Sequence, residues 1–387
     1  MKRFKFGLLP RILVAIVLGI VVGNWLPLPL TRVFITFNSI FGQFLGFMIP
    51  LIIVGLVTPA IGDIGRGAGR LLVVTVLIAY LDTVFAGLLS FGTGSWLFPD
   101  MIGSVTSAQV EKATAIEPYF TISVPPLIDV MSGLLFSFVV GLCIAYAQLP
   151  TLKGLFADFK AVIATTISKA IIPLLPIYIF GIFLNMTRSG QAYHILAVFA
   201  RIIVVIFILP LFILLYEFVA AGIIARRNPF RLLYNMLPAY FTALGTSSSA
   251  ATIPVTLKQT MRNGVSESIA GFTVPLCATI HMSGSMMKIT SCALAICLME
   301  GMGHDTLTFI NFILMLGIMM VAAPGVPGGA IMAALAPLAS ILGFSDEQQA
   351  LIIALYIAMD SFGTACNVTG DGAISVVVNR LFSRHTA

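Results

Sequence analysis

The chain has 387 residues, of which 59% are hydrophobic and only 9% are charged, and its mean hydropathy is +1.06. A water-soluble domain of this length needs far more charged surface, so most of the chain must be solvated by lipid. Lipid tolerates only helices or closed barrels, and the long unbroken apolar runs have helix length rather than the alternation of barrel strands. The sequence therefore predicts an all-α polytopic membrane protein.

Six apolar spans come first along the chain. We interpret the first as a membrane helix that is retained, rather than as a cleaved signal peptide, because hydrophobic spans follow it to the C-terminus. The six predicted spans run approximately over 7–26, 33–58, 71–94, 126–149, 161–187 and 195–225.

Beyond Arg226 the apolar segments are interrupted at their centres. Segment 233–258 contains the serine-rich stretch 246–249, and segment 308–344 contains the Pro/Gly-rich stretch 324–329. Each half is too short to cross about 30 Å of hydrocarbon as a helix, so each segment is predicted to dip into the membrane and return as a re-entrant hairpin. The alternative is a set of ordinary membrane helices that contain glycine and serine.

A longer segment follows each hairpin, over 266–300 and 348–382, and the first of these is broken near 281–285. A hairpin followed by a helix, twice in succession, indicates an internal repeat, which is inverted if the hairpins enter from opposite sides. Together with the six earlier spans, this pattern predicts eight transmembrane helices and two re-entrant hairpins.

The net charge of +6 reflects topology signals rather than a nucleic-acid partner. Counting crossings from a cytoplasmic start puts every basic cluster on one side, as the positive-inside bias expects. The prediction is a multi-pass inner-membrane protein with both termini in the cytoplasm and the polar stretch 96–125 outside. The clusters are Lys2, Arg3 and Lys5; Arg66 and Arg70; Lys153 and Lys160; Arg226, Arg227 and Arg231; and Arg380 and Arg384.

Ionisable residues inside a membrane are costly and usually mark a transport pathway or a partner pair. On the last span, Asp360, Thr364, Asn367 and Asp371 are spaced so that they share one helical face. That face must meet protein, solute or an ion rather than lipid. The alternative is a hydrogen-bonding seam between helices. Two acidic residues toward span ends, Glu217 and Glu300, are expected instead at the membrane interface.

Several motifs in order resemble the glutamate transporter family, the dicarboxylate/amino acid:cation symporters. They are Asn-Val-Thr-Gly-Asp at 367–371, the serine-rich first hairpin tip, Gly-Val-Pro-Gly at 325–328, and Gly-Asp-Ile-Gly-Arg at 62–66. The resemblance covers most of the chain and is strongest from Phe241 to the end.

This resemblance implies a homotrimer that works as an elevator. It assigns 1–70 to scaffold helices 1 and 2, and 96–190 to an outer loop with scaffold helices 4 and 5. It assigns 71–95, helix 3, and 191–387, with both hairpins and helices 6 to 8, to the moving transport domain. The first hairpin is then the cytoplasmic gate, and the second is the outer gate.

The resemblance also implies that Asp360 holds a substrate ammonium, while Asn367, Ser248 and hairpin backbone hold an α-carboxylate. Acidic-substrate members carry an arginine where this chain has Gly363, and some relatives place one where it has Ser247. The favoured substrate is therefore a small neutral amino acid, although Lys288 leaves an acidic amino acid or a dicarboxylate open. The predicted substrate-binding residues are Ser247, Ser248, Ser249, Val326, Gly328, Asp360, Gly363, Thr364 and Asn367.

The motifs for sodium have changed. Sodium-coupled members have Asn-Met-Asp-Gly-Thr where this chain has His-Met-Ser-Gly-Ser at 281–285, and sodium prefers oxygen ligands. Ser283 removes a carboxylate, His281 substitutes a nitrogen, and Val84 stands where a hydroxyl is expected. One sodium site is thus expected to be abolished, and a second, near Asp371, to be weakened.

Two charges stand where the family pattern has none, Asp82 and Lys288. One hypothesis makes Lys288 a tethered replacement for a bound cation near Asp371 or Asp82, so that transport is sodium-independent and either proton-linked through His281 or facilitative. The alternative is a structural pair of Asp82 with Lys288. The predicted residues for ion coupling or its replacement are Tyr80, Asp82, Thr83, His281, Ser283, Lys288 and Asp371.

Other classes of protein are less consistent with the sequence. A sodium-coupled amino acid or dicarboxylate symporter is the main alternative, and an anion channel is a remote one. The serines at 247–249 lack a histidine or lysine at the spacing of a known catalytic motif, so an enzyme is not predicted. The five cysteines lie in apolar stretches without CxxC spacing, so neither a metal centre nor a cofactor is expected beyond Na+ or H+ as a coupling ion.

Overall fold

The computed structural model describes residues 8–63, 70–102, 116–188, 190–323 and 328–382. Within these ranges the regular structure is helical and no residue lies in a β-strand, which confirms the predicted all-α class. Several residues named above lie outside the described ranges, namely Lys2, Arg3, Lys5, Arg66, Val326 and Arg384.

The described residues up to Ala225 form seven helices of 16 to 36 residues, which match the six predicted spans. A π-helical turn, Ile167–Ile171, joins α5 to α6, so that both belong to one apolar stretch from Pro150 to Arg188. The helices are α1 (Leu8–Gly23), α2 (Leu28–Asp63), α3 (Arg70–Ile102), α4 (Val130–Ala147), α5 (Pro150–Thr166), α6 (Ile172–Arg188) and α7 (Gln191–Ala225).

The described residues after Arg226 form eight helices of 12 to 23 residues, and the predicted interruptions lie between some of them. The first pair, α8 and α9, packs together around the serine-rich break, and α12 packs against α13. The helices are α8 (Pro229–Thr246), α9 (Ser249–Arg262), α10 (Glu267–Ile280), α11 (Ser283–Glu300), α12 (Thr306–Ala322), α13 (Gly329–Ser340), α14 (Asp346–Ala358) and α15 (Asp360–Phe382).

The two longer segments are both broken, although the sequence indicated only the first break. The break between α10 and α11 lies at His281 and Met282, as predicted. The segment 348–382, for which the sequence indicates no break, bends by 64° at Met359 between α14 and α15. The carbonyl of Met359 accepts a hydrogen bond from the Lys288 ammonium at 3.0 Å. This contact comes from a distant part of the chain, so the local sequence gave no signal for the bend.

Five helical stretches in the described ranges are long and apolar enough to cross a membrane, and a sixth is added if α14 and α15 count as one bent span. Helices α1, α4, α12 and α13 contain shorter apolar stretches. The number of crossings and the re-entry of the two helix pairs therefore stay predictions. The five stretches are Leu28–Pro59, Arg70–Ile102, Pro150–Arg188, Val198–Ala225 and Glu267–Glu300.

Helices α11 and α15 form the centre of the second half. Every residue of α11 from Ser283 to Cys297 is buried, and α15 is buried along most of its length although both helices carry polar side chains. They pack against each other and against α3 and α7, and α15 also packs on both α8 and α9. Polar groups are thus enclosed by apolar helices, which places the candidate site between α11 and α15.

The closest approach of α11 to α15 depends on Gly284. A Cβ atom at this position would lie 2.7 Å from the Gly363 carbonyl oxygen and 2.7 Å from the Cys366 Cβ. Both distances are shorter than side chains tolerate, and a backbone atom cannot move aside cheaply. Glycine therefore lets the first turn of α11 rest on α15.

We expect Gly284→Ala to destabilise the protein by about 1–3 kcal/mol because the added methyl group overpacks this contact. The measurement is the thermal unfolding midpoint of purified protein in detergent. Gly271→Ala is the matched control, because a Cβ there meets nothing within 4 Å and alanine favours the helix. Equal midpoints for the two variants would contradict the close packing of α11 on α15.

Candidate functional site

The polar face predicted on the last span is buried in protein. The exposed fractions of Asp360, Thr364, Asn367 and Asp371 are 6%, 6%, 4% and 1%. All four lie on α15, so the spacing of three and four residues brings them to one side of the helix. The prediction that this face avoids lipid is confirmed.

The tips of the two helix pairs meet at the beginning of α15. The backbone N–H of Gly328, just before α13, donates to Asp360 Oδ2 at 3.0 Å. Gly328 has φ = +74°, a left-handed conformation that glycine adopts without strain. On the other side, the Ser247 hydroxyl donates to the Ser361 hydroxyl at 3.2 Å. Two separate interruptions of the chain therefore converge on one short stretch of α15.

Two of the other predicted substrate-binding residues, Ser248 and Thr364, form hydrogen bonds within their own helices. The Ser248 hydroxyl accepts from the Ala251 N–H at 3.3 Å and caps α9, whose first residue, Ser249, is buried. The Thr364 hydroxyl donates to the Asp360 carbonyl oxygen at 3.0 Å. These contacts fix the ends of helices around the tips, which is the arrangement that aims backbone N–H groups at a ligand.

Asn367 fastens α15 to the first turn of α11. Its side-chain oxygen accepts from the N–H groups of Gly284 and Ser285 at 2.8 and 3.3 Å, and its amide nitrogen donates to the Ser285 hydroxyl at 3.1 Å. The N–H groups at the start of a helix have no partner within that helix. Asn367 therefore satisfies the beginning of α11 and fixes its position.

Lys288 belongs to α11, and its ammonium lies beside the start of α15. The expectation that it lies near Asp82 or Asp371 was therefore wrong. Its ammonium is 3.9 Å from Asp360 Oδ1 and 4.1 Å from the centre of the Tyr356 ring, besides its bond to Met359. The hypothesis placed the ammonium near Asp371 or Asp82, whereas the side chain reaches toward Met359 and Asp360 at the start of α15.

Asp82, His281 and Asp371 form a chain of hydrogen bonds in which His281 and Asp371 are buried and Asp82 is partly buried. His281 Nε2 is 2.8 Å from Asp82 Oδ2, and His281 Nδ1 is 3.0 Å from Asp371 Oδ1. The imidazole is buried, and the Tyr216 hydroxyl donates to the other oxygen of Asp82. Asp82 is thus paired with His281 rather than with Lys288.

Glu217 joins this group, contrary to the expectation that it lies at the membrane interface. Only 5% of Glu217 is exposed, its Oε1 accepts from the Ser283 hydroxyl at 3.0 Å, and it lies 3.9 Å from His281 Nε2. Glu217 lies eight residues, or about 12 Å, from the end of α7. This depth in the span indicates a buried carboxylate rather than an interfacial one. We call Asp82, Glu217, His281 and Asp371 the histidine cluster.

The two other residues predicted on α3 support this region from its edge. The Thr83 hydroxyl accepts from the Met282 N–H at 3.3 Å, in the break between α10 and α11. The Tyr80 hydroxyl donates to the Leu314 carbonyl oxygen at 3.2 Å and thereby joins α3 to α12. Thr83 therefore contacts the break that carries His281, whereas Tyr80 forms a contact between two helices outside the histidine cluster.

The histidine cluster has the charge of a cation site but an unusual set of ligands. One donor atom from each of Asp82, Glu217 and His281 lies within 4.8 Å of the others. Both nitrogens of His281, however, lie at hydrogen-bond distance from carboxylate oxygens, which leaves neither nitrogen for a metal ion. Among the described residues, Glu217 Oε2 and Asp371 Oδ2 are buried without a hydrogen-bond partner. These two oxygens are the ones that could accept a proton or a small cation.

A surface cavity of about 590 Å³ reaches the histidine cluster from the side of α3 and α7. Asp82, Tyr216 and Glu217 line it together with mostly apolar residues. The cluster is therefore accessible from the surface of this chain even though its imidazole is buried.

We expect Asn367→Ala to lower stability by about 1–3 kcal/mol because it leaves two buried N–H groups of α11 without a partner. The thermal unfolding midpoint in detergent measures the effect. Asn311→Ala on the exposed side of α12 serves as the control and should change the midpoint little. An unchanged midpoint in both variants would contradict the role of Asn367 in fixing α11.

Comparison with known proteins agrees with the resemblance read from the motifs. The sequence matches the Sodium:dicarboxylate symporter family over residues 8–381, which is nearly the whole chain. It is 28% identical over 398 residues to the serine/threonine transporter SstT of Acinetobacter baumannii strain AYE, covering 97% of each protein. It is 27% identical over 403 residues to the same-named protein of Acinetobacter baylyi, covering 97% of this chain and 98% of the relative. The chain therefore belongs to the sodium:dicarboxylate symporter family and is a membrane transport protein rather than an enzyme.

Proposed function

We propose that this protein is a secondary carrier that moves a small neutral amino acid across the inner membrane. The observation that carries the proposal is the convergence of Gly328 and Ser247, from two separate interruptions, on Asp360 and Ser361 at the start of α15. The names of the serine/threonine transporters that resemble the chain along its full length support this substrate class.

The chemistry of this meeting point suits an amino acid. A fixed carboxylate such as Asp360 is a partner for a substrate ammonium, and N–H groups at interrupted helix ends are partners for a carboxylate. The hydroxyl groups of Ser247, Ser361 and Thr364 surround the same stretch and can bond to a small polar side chain. Asn367, by contrast, is committed to α11, so we assign it a positioning role rather than direct contact with substrate.

The carrier is proposed to work as a homotrimeric elevator with eight crossings, two re-entrant hairpins and cytoplasmic termini. Residues 1–70 and 96–190 then form the scaffold, while 71–95 and 191–387 move. The packing of α11 and α15 against α3, α7, α8 and α9 supports a single moving unit. The two hairpins, α8–α9 and α12–α13, are the proposed inner and outer gates.

Coupling is proposed to be proton-linked and independent of sodium, through His281. Each of its two nitrogen-to-oxygen contacts needs a proton on one of the two atoms, because a hydrogen bond requires a donor. A neutral imidazole carries only one such proton. The chain Asp82–His281–Asp371 therefore holds one proton more than neutral histidine and two carboxylates would supply, and this second proton is the proposed coupling ion.

Sodium coupling, after which the family is named, is the second candidate function. It is favoured by the two unpartnered carboxylate oxygens of Glu217 and Asp371 and by the negative charge of three carboxylates around one histidine. Against it stands the engagement of both His281 nitrogens, together with Ser283 in place of a carboxylate. The two candidates differ in the ion that drives uptake.

Purified protein in liposomes loaded with serine should take up labelled serine by counterflow in sodium-free, potassium-only buffer. An inward proton gradient should increase net accumulation, whereas an inward sodium gradient at clamped pH should not, because the second cluster proton is carried with the substrate. An absolute sodium requirement would refute proton coupling and favour the second candidate. Ion conductance without saturable counterflow would instead indicate a channel and refute the carrier.

His281→Gln should abolish the response to the proton gradient while counterflow persists, because glutamine cannot carry the second proton. His304→Gln is the matched control, since His304 lies exposed in the loop before α12 and should leave the response unchanged. The double variant His281→Asn with Ser283→Asp restores two of the three changed positions of the family motif and should gain stimulation by sodium. A retained proton response in His281→Gln would exclude the histidine as the coupling residue.

A further inference from the structure

The site contains a second charge at the start of α15. Lys288 comes from α11, only 1% of it is exposed, and its ammonium lies 3.9 Å from Asp360 Oδ1. That distance exceeds a hydrogen bond, so the lysine balances the charge of Asp360 without taking a hydrogen-bonding position on this oxygen. The Met359 carbonyl and the face of the Tyr356 ring hold the ammonium in place.

The position of the lysine depends on the glycine one turn into α15. A Cβ atom at Gly363 would overlap with Cε and Nζ of Lys288, so the end of the lysine side chain would have to move. A side chain at 363 and this placement of Lys288 therefore exclude each other. Gly363 stands where the acidic-substrate pattern has an arginine on α15. The same glycine leaves the space that the Lys288 ammonium from α11 occupies.

From this geometry we propose that Lys288 is a specificity-determining residue of the substrate site, which makes the site electrically neutral and selects amino acids without net charge. The inference rests on the proposed function, since it assumes that substrate binds at Asp360. Among the described residues, Lys288 is the one basic side chain in an ion pair with Asp360.

The physical reason is the cost of an unbalanced charge in a buried site. With Asp360 and Lys288 both charged, a bound zwitterion leaves the site neutral, whereas an anionic or cationic analogue leaves one charge unpaired. Without Lys288 the site carries one negative charge, so a cationic analogue restores neutrality. Without Asp360 it carries one positive charge, so an anionic analogue does.

The test compares three probes of similar size in binding competition with purified protein: serine as the zwitterion, serinamide as the cation and aspartate as the anion. Wild type should prefer serine over both. Lys288→Met should raise the affinity for serinamide relative to serine by roughly tenfold or more, since truncating one member of a buried charge pair has an effect of this size. Lys258→Met, an exposed lysine on α9, should keep the wild-type order.

A second variant tests the opposite sign and does not depend on the folding of the first. Asp360→Asn should weaken serine binding and shift the remaining preference toward aspartate. Equal weakening of all three probes in Lys288→Met, or a shift in the same direction in both variants, would overturn the inference and leave Lys288 a structural role. Serine binding by wild type with an unaltered preference in both variants would refute only the inference. Failure of wild type to bind any probe would refute the proposed function itself.

Discussion

The site is built on a constraint that lipid imposes on broken helices. Each break releases backbone N–H and C=O groups, and a membrane offers no water to satisfy them. Here the groups at three breaks are satisfied by side chains from other helices. Asn367 takes the N–H groups that begin α11, Lys288 takes the carbonyl of Met359, and Asp360 takes the N–H of Gly328. The polar residues that a carrier needs are therefore also the residues that hold its interrupted helices together.

The two buried charge groups lie at different levels of the same pair of helices. Asp360 and Asp371 are eleven residues apart on α15, which corresponds to about 16 Å along the helix. Lys288 and His281 accompany them from α11 and from the break before it. Asn367 joins the two helices between these levels. The contact of Asn367 with α11 opposes sliding of α15 along α11. A change of charge at the histidine cluster must therefore act on both helices together rather than on one side chain.

The sequence predicted the helical class, the positions of three interruptions and the buried face of α15, because these depend on local composition and on the period of one helix. It did not predict the bend at Met359, since the lysine that stabilises it lies 71 residues away in the chain. It also misplaced Glu217 and the partner of Lys288. The Glu217 error concerns its depth along α7, which the sequence contains. The Lys288 error concerns the direction in which its side chain leaves α11, which the packing of α11 on α15 decides and which the pattern of a single helix does not contain.

Where this chain lacks a charged residue of the family pattern, another helix supplies a charge of the same sign nearby. Considering the lost residue alone therefore gives the wrong net charge for the site. Gly363 removes a cation from α15, but Lys288 returns one from α11 to the same space. Ser283 removes a carboxylate from α11 in comparison with that pattern, but Asp82, a charge that the pattern lacks, approaches His281 from α3. A missing arginine does not by itself make the site negative, and a missing aspartate does not make the cluster unable to attract a cation. In this chain a different helix supplies each charge: α11 supplies the cation and α3 supplies a carboxylate. The charges therefore stay paired only when these helices move together with α15.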